Sequence, residues 1–412
     1  MHPACNSFPN AAEHPVTAAF RPLSGVKVLA LEQAVAMPYC TFVLGELGAE
    51  IIKIERLGSG DVVRGWDADA KGLSTGFVWV NAHKKSLAID LTAPEGREAL
   101  REIAGQVDVF VENLAPGAAG RLGLGHGELR SLFPRLIYCS LSGFGPDGPY
   151  GGVKSYDLTL QGESGILLSN GYPGMPAKVG LPITDLIAGS NAIIGIQSAL
   201  LERERTGEGR FLDVAMLDAA LLWLGYFPHH AWHSASEPPL AGMRHQYICP
   251  YGPYLAKDDC YVSLAVADDR QWRLFCEKVV GRPEWIDDPR IASIALRREN
   301  RALAEKLVED AIRLKPRDYW IEKLSASGIP YGKVRTMAEV IDHPQAAHRH
   351  MFVTAQSEVG DLPLVRFPLA DADQERRLPG LGADTHKVLE EFGIELSRRS
   401  AMVAAGVIEE DR

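Results

Sequence analysis

The residues best placed to do chemistry lie between Leu136 and Gly165. An apolar run, Leu136–Leu141, reads as a buried strand. It breaks into a loop holding Gly143, Gly145, Pro146, Gly148, Pro149, Gly151 and Gly152, a composition that excludes regular structure. Beyond the loop stands a lone acid, Asp157, preceded by Tyr156. A strand that spills into a long loop at its C-terminal edge is where open α/β sheets keep their active sites. A carboxylate there can attack a carbonyl or move a proton, and Gly143, Gly145 and Gly148 can offer backbone N–H groups to a developing oxyanion. From position alone Asp157 can equally cap a helix starting at Leu158.

The elements that must position these residues alternate in type. Lys27–Leu31 reads as a strand, a helix with Pro38 in its first turn runs to about Leu47, and Glu50–Arg56 is a second strand. Ser86–Leu91 is a third strand. Thr92–Glu95 reads as a capping box opening a helix to about Gln106, and Asp108–Glu112 is a fourth strand. Thr184-Asp185 opens a long helix to about Arg205, where Asp185 reads as a favourable first-turn charge. Phe211–Met216 is a further strand, followed by a helix from about Asp218 to Trp232. The expected class is α/β, with a mostly parallel sheet in a large domain and a smaller α+β domain. The expected division is an arm over 1–20, the large domain over 21–216, a linker over 217–249, the small domain over 250–336, and a return over 337–412. In the small domain a hairpin turns at Asp258-Asp259, and helices lie around 269–279, 297–314 and 316–327. A final helix begins at Thr385.

Rival chemistries fail on their residues. The turn after the first strand, Glu32–Met37, has no glycine, so a dinucleotide pyrophosphate cannot approach, and Glu55 has no nucleotide motif to serve. The Leu122–Gly127 run, LGLGHG, lacks a following Lys-Ser/Thr and is a turn. His229, His230 and His233 do not have zinc spacing, and no metal is expected. The six cysteines form no CxxC pair, which suits reduced thiols in a cytoplasmic enzyme. With 412 residues, 46% hydrophobic and 23% charged, the chain is of ordinary globular composition and long enough for two domains. A net charge of −10 argues against a nucleic-acid partner. No signal peptide and no membrane-length apolar run is expected.

The run SLSGFGPDGPY at 140–150, followed by Tyr156-Asp157, resembles the signature of the class III CoA-transferases, the group that includes formyl-CoA:oxalate and carnitine CoA-transferases. GSGD at 58–61 with Arg64-Gly65-Trp66 and the ENLAPG turn at 112–117 match the same pattern, and the resemblance runs from about Leu23 onward. It implies a Rossmann-like fold, coenzyme A as substrate and product with no permanently bound cofactor, and a homodimer of interlocked chains. It also implies that Asp157 is the nucleophile, passing through an aspartyl anhydride and an aspartyl–CoA thioester. Arg56 and Arg121 would contact the CoA nucleotide, Asn113 and Leu114 would line the pantetheine and adenine, and Lys84 and Lys85 are further cationic candidates. The related racemases carry His-Asp where this chain has Tyr156-Asp157, so a racemase or isomerase is the alternative reading. A non-catalytic CoA-binding protein is the third.

Two departures bear on the acceptor. Val35 stands where formyl-CoA transferases have a substrate-holding Gln, and Ser142 stands where they have a Lys; both argue against formate and oxalate. The segment HQYICPYGPY at 245–254 looks like members that use succinyl-CoA with short dicarboxylates such as itaconate, mesaconate, malate or citramalate. A distal carboxylate needs a cation, and Arg244 with His245 are the candidates.

Overall fold

The computed structural model describes residues 20–234 and 236–410. The N-terminal arm expected over 1–20 lies, apart from Phe20, outside the described residues. The rest groups into two compact units. The first comprises residues up to 154, 185–216 and from 348 onward; the second comprises Ser155–Thr184 and Leu217–Ala347. The stretch 217–249, expected as a linker, falls inside the second unit, and so does the segment carrying Asp157.

Six strands form the sheet of the first unit: β1 (Lys27–Leu31), β2 (Glu50–Glu55), β3 (Lys84–Ala88), β4 (Val109–Glu112), β5 (Ile137–Ser142) and β6 (Phe211–Ala215). Their order is β3-β2-β1-β4-β5-β6 and every neighbouring pair is parallel. This is a doubly wound order. Its winding reverses between β1 and β4, and the crevice beyond the carboxyl ends of those strands is where such sheets bind ligands.

Strand periodicity divides the faces. Leu29 and Leu31 of β1 and Ile52 and Ile54 of β2 point to one side. There they pack with Leu100 and Ile103 of α2 (Pro94–Ala104) and with Val388, Leu389 and Met402 from the C-terminal helices Thr385–Glu391 and Leu396–Ala404. Each such side chain, fully buried, contributes about 1.5–3 kcal/mol. The last of these helices was not expected. The capping box at the start of α2 does not form, because the Thr92 hydroxyl is held by Asp90 at 2.8 Å and Ala93 takes the cap position.

The other face carries charge beneath α1 (Ala36–Glu46). Glu55, at the end of β2, receives two hydrogen bonds from the Arg64 guanidinium (2.8 and 2.7 Å), one from Ser86 Oγ (2.7 Å) and one from the Asp61 N–H (2.9 Å). It is a structural anchor. Burial alone would raise its pKa, but Arg64 outweighs burial and the carboxyl falls to about 2. A depressed carboxylate contributes stability that is present above its unfolded pKa, near 4.5, and is lost as pH falls toward 2. The stability gap between wild type and Glu55→Gln should therefore narrow by about 3 kcal/mol between pH 5 and pH 2. Urea denaturation across that range measures it, and a constant gap would contradict the assignment.

The second unit has its own core, built from Trp272, Phe275, Trp285, Val308, Ile312, Trp320 and Leu324. These side chains pack against an antiparallel sheet of order β9-β8-β7, where β7 is Tyr251–Leu255, β8 is Tyr261–Ala265 and β9 is Tyr331–Lys333. The hairpin between β7 and β8 turns on Asp259 at φ +58°. Two expected helices are each divided. Met216–Trp223 and Phe227–His233 are separated at Gly225 (φ +60°), and Ile294–Glu299 and Arg301–Ile312 are separated at Asn300. The unit also holds α3 (Asp157–Glu163) and the start of α4 (Ile183–Thr206).

By length and composition α4 is apolar enough to cross a membrane, contrary to the expectation that no such run exists. Its Ile187, Ala188, Ala192, Ile196 and Ala199 are buried in protein.

Candidate active site

The carboxyl end of β1 is fixed by a buried charge quartet. Lys53, mid-strand in β2 and facing α1, places its Nζ 2.7 Å from Asp61 and 3.3 Å from Glu32. Lys84 of β3 reaches the same Glu32 at 2.6 Å and also donates to the Pro38 carbonyl at 3.0 Å. Thr41 Oγ1 donates to the other Glu32 oxygen at 2.7 Å, and Asp61 accepts the N–H groups of Ala34 (3.0 Å) and Val63 (3.1 Å). Two cations and two anions balance, which such burial requires. Burial pushes the Lys84 ammonium down to about 8 despite Glu32 beside it. The quartet holds the turn after β1, where Ala34 takes φ +63°.

This geometry removes Lys84 from the CoA candidates, because its ammonium is buried and fully paired. Lys85 is committed as well, to Glu50 (2.8 Å) and Glu391 (2.6 Å). Arg56 and Arg121 differ. Both are exposed, just past the carboxyl ends of β2 and β4, and among the described residues neither forms an ion pair. Arg121 donates to the Pro116 carbonyl, at 3.4 Å. Asn113 bridges the crevice: its Oδ1 accepts the Gln33 N–H (2.8 Å) and its Nδ2 donates to the Gln33 carbonyl (2.9 Å). Beside it the buried Glu112 accepts the Leu114 N–H (2.9 Å) and the Ser140 hydroxyl (2.5 Å); burial holds its carboxyl above the usual range despite both donors. Val35 is buried at the head of α1 and presents no polar group to an acceptor. In the glycine loop, Gly145 and Gly148 take φ +89° and +74°, which side chains rarely adopt. The Gly145 N–H is already given to Ser142 Oγ at 3.0 Å; Gly143 lies one residue beyond Ser142 and is half-buried.

In the second unit, Asp157 is the first residue of α3 and does not cap that helix. Its Oδ1 accepts the Thr184 N–H and the Thr184 hydroxyl, both at 2.9 Å, and its Oδ2 accepts Gln161 Nε2 at 2.8 Å. Thr184 lies in the first turn of α4. The residue before that helix, Pro182, has no side-chain acceptor. Asp157 supplies the missing cap from 27 residues away. Gln161 is buried and held in turn by the Val179 N–H at 2.9 Å. Asp185 follows Thr184 in the same first turn, at the positive end of a 24-residue helix. Tyr156 is 79% exposed.

The acceptor candidates are structural. Arg244 pairs with Glu309 at 2.9 Å, donates to the Pro253 carbonyl and stacks 3.6 Å above the Tyr254 ring. His245 Nδ1 accepts the N–H groups of Tyr247 and Ile248, both at 3.1 Å, and burial with Arg301 nearby lowers its pKa. Neither offers a free cation. His230 bonds the Tyr247 hydroxyl at 3.0 Å, and His229 stacks on His233 with 6.4 Å between centroids, so these histidines join an aromatic cluster.

Glu32, Lys53 and Gln161 were not singled out from the sequence; Asp61 was read only as part of the GSGD run and Thr184 only as a helix start. A lysine inside the apolar run EIIKIE was the one legible signal.

A family model described as CoA-transferase family III matches residues 23–385. The chain is 32% identical to a succinyl-CoA:glutarate CoA-transferase of Homo sapiens, over 95% of this chain and 90% of that protein. It is 35% identical to an acetyl-CoA:oxalate CoA-transferase of Acetobacter aceti, over 81% of this chain and 85% of that one. Among solved structures, a CAIB/BAIF family protein from Brucella suis superposes with a TM-score of 0.79 at 33% identity. That match covers 90% of this chain and 99% of the other.

Proposed function

The chain belongs to CoA-transferase family III, an enzyme family that moves CoA between acyl-CoA donors and carboxylate acceptors, and from that premise we propose covalent transfer by Asp157. A carboxylate attacks the donor thioester, giving an aspartyl–acyl anhydride and CoA thiolate. The thiolate attacks the aspartyl carbonyl, releases the donor acid and leaves an aspartyl–CoA thioester. The acceptor carboxylate then enters and the steps reverse. Thioester is exchanged for thioester, so activation is conserved.

The observation that carries the reading is the Asp157 carboxylate, which the Thr184 N–H, the Thr184 hydroxyl and Gln161 Nε2 hold at 2.8–2.9 Å. With the Tyr156-Asp157 motif, this supports Asp157 as the nucleophile. The donors fix the orientation of the carboxylate, and once one oxygen is acylated the remaining carbonyl oxygen can still accept from Thr184, so the head of α4 stays capped. Asp185 is read as a favourable first-turn charge of that helix. Tyr156, in place of a second acid–base group, supports transfer over racemisation.

Arg56 and Arg121 are assigned to the CoA phosphates. Each Ala variant should weaken acyl-CoA binding by about 1.5–3 kcal/mol, with a smaller effect on a pantetheine thioester lacking the nucleotide. Equal losses on both substrates would place these arginines elsewhere.

The donor is assigned as succinyl-CoA and the acceptor as a short dicarboxylate, in keeping with the name of the human relative. With succinyl-CoA as donor, glutarate, mesaconate, itaconate, malate and citramalate should outrun butyrate; comparable rates would remove the assignment. The working form is read as a homodimer in the cytoplasm. The exposed Leu222, Trp223 and Trp232 support a subunit contact, and free, mostly buried cysteines suit a reducing compartment.

A further inference from the structure

The turn Asn113–Gly117 leaves the carboxyl end of β4 beside the crevice where the winding of the sheet reverses. The side chain of Asn113 ties the start of this turn to Gln33, and the Ala118 N–H closes its end on the Ala115 carbonyl at 2.9 Å, with Gly117 at φ +71°. Between them the Leu114 N–H is held by the residue that precedes the turn, Glu112. Its register partners are Leu31 on β1 and Ser140 on β5, so it stands in the middle of the strand ends. One carboxylate oxygen holds the Leu114 N–H, two residues on, and the other is held by the Ser140 hydroxyl. It is buried, and among the described residues no Lys, Arg or His pairs with it. The titratable groups of β5 that feel its charge, Tyr138 and Cys139, lie on opposite faces of the strand and are both kept neutral by burial. An unpaired buried carboxyl is costly to keep, yet this one makes no contribution to the charge quartet or to the head of α4.

We propose that Glu112 is a positioning residue for acyl-CoA, clasping the Leu114 N–H against β5 so that the Asn113–Gly117 turn is pre-shaped to receive the pantetheine arm. This rests on the assignment of that turn to CoA. One oxygen is taken up by the Leu114 N–H of the turn and the other by Ser140 of β5, so the residue acts through the turn. The anchoring strand makes the clasp rigid, and pre-shaping a binding turn lowers the ordering cost of binding.

The two atoms at stake make the test specific. Glu112→Gln keeps both contacts, since its carbonyl can accept from Leu114 and its amide can donate to Ser140 Oγ. Glu112→Ala loses both, and Ser140→Ala loses one. Glu112→Ala should raise KM for acyl-CoA about tenfold, with kcat falling less than about threefold and KM for the acceptor acid unmoved. The KM effect should persist on a pantetheine thioester, unlike that of Arg56→Ala. Glu112→Gln should restore wild-type KM, and Ser140→Ala should lie between. Hydrogen exchange of the peptide spanning residues 113–121, measured without ligand, should quicken in Glu112→Ala and not in Glu112→Gln. Unchanged exchange in Glu112→Ala would overturn the clasp itself. Quickened exchange with unchanged KM would overturn the placement of CoA on this turn. Should Glu112→Ala not fold, the Ser140→Ala and Glu112→Gln pair decides, and equal KM values for the two and wild type would refute the proposal.

Discussion

Asp157→Asn abolishes transfer, with kcat down by at least about a thousandfold, while the protein folds and still binds CoA. An amide has the shape of the carboxylate and none of its nucleophilicity, so no anhydride forms. Its side-chain oxygen can still accept the Thr184 N–H and hydroxyl, so the head of α4 stays capped. Asp157→Ala removes the cap as well and should cost about 1–2 kcal/mol of stability in addition. Asp185→Asn removes a first-turn charge, and transfer should survive it. Steady-state kinetics and thermal unfolding of the three variants separate the roles. If Asp185→Asn is dead and Asp157→Asn active, the assignment is wrong.

Lys53→Met has the largest expected effect on stability. It leaves Glu32 and Asp61, both fully buried, to share the one cation on Lys84. Breaking a buried pair by removing one partner costs about 3–5 kcal/mol, because an uncompensated charge stays behind. The damage should spread to the turn after β1, since Asp61 holds the Ala34 N–H in its left-handed conformation. Urea denaturation monitored by tryptophan fluorescence gives the number, and a loss below about 1 kcal/mol would mean that water already enters the quartet.

What could be read from the chain was what depends on near neighbours. Short apolar runs located β1, β2, β4 and β5, and the spaced apolar residues after Thr184-Asp185 located α4. The glycine-free turn after β1 excluded a dinucleotide site without any structure. Local signals failed where a partner from afar won. Thr92 had a nearer acid to bind than the helix it was expected to cap. Lys84 sat among strand-end cations in the sequence, and only the pairing of β3 beside β2 shows it buried against Glu32, 52 residues away. Arg244 had the charge an acceptor pocket needs, but Glu309 neutralises it from a helix 65 residues on. Asp157 was legible as an important acid; that its carboxylate serves another helix was not.

The most direct test of the covalent account is to catch the adduct and locate it. Wild-type enzyme is incubated with succinyl-CoA, quenched with hydroxylamine and digested with trypsin. Cleavage after Lys154, Lys178 and Arg203 puts Asp157 on the peptide 155–178 and Asp185 on the peptide 179–203. The hydroxamate should appear on 155–178, vanish in Asp157→Asn, persist in Asp185→Asn, and be accompanied by no exchange of solvent deuterium into the acyl α-carbon. A hydroxamate on 179–203 would move the nucleophile to Asp185; no adduct with rapid α-exchange would contradict transfer by a covalent aspartate altogether.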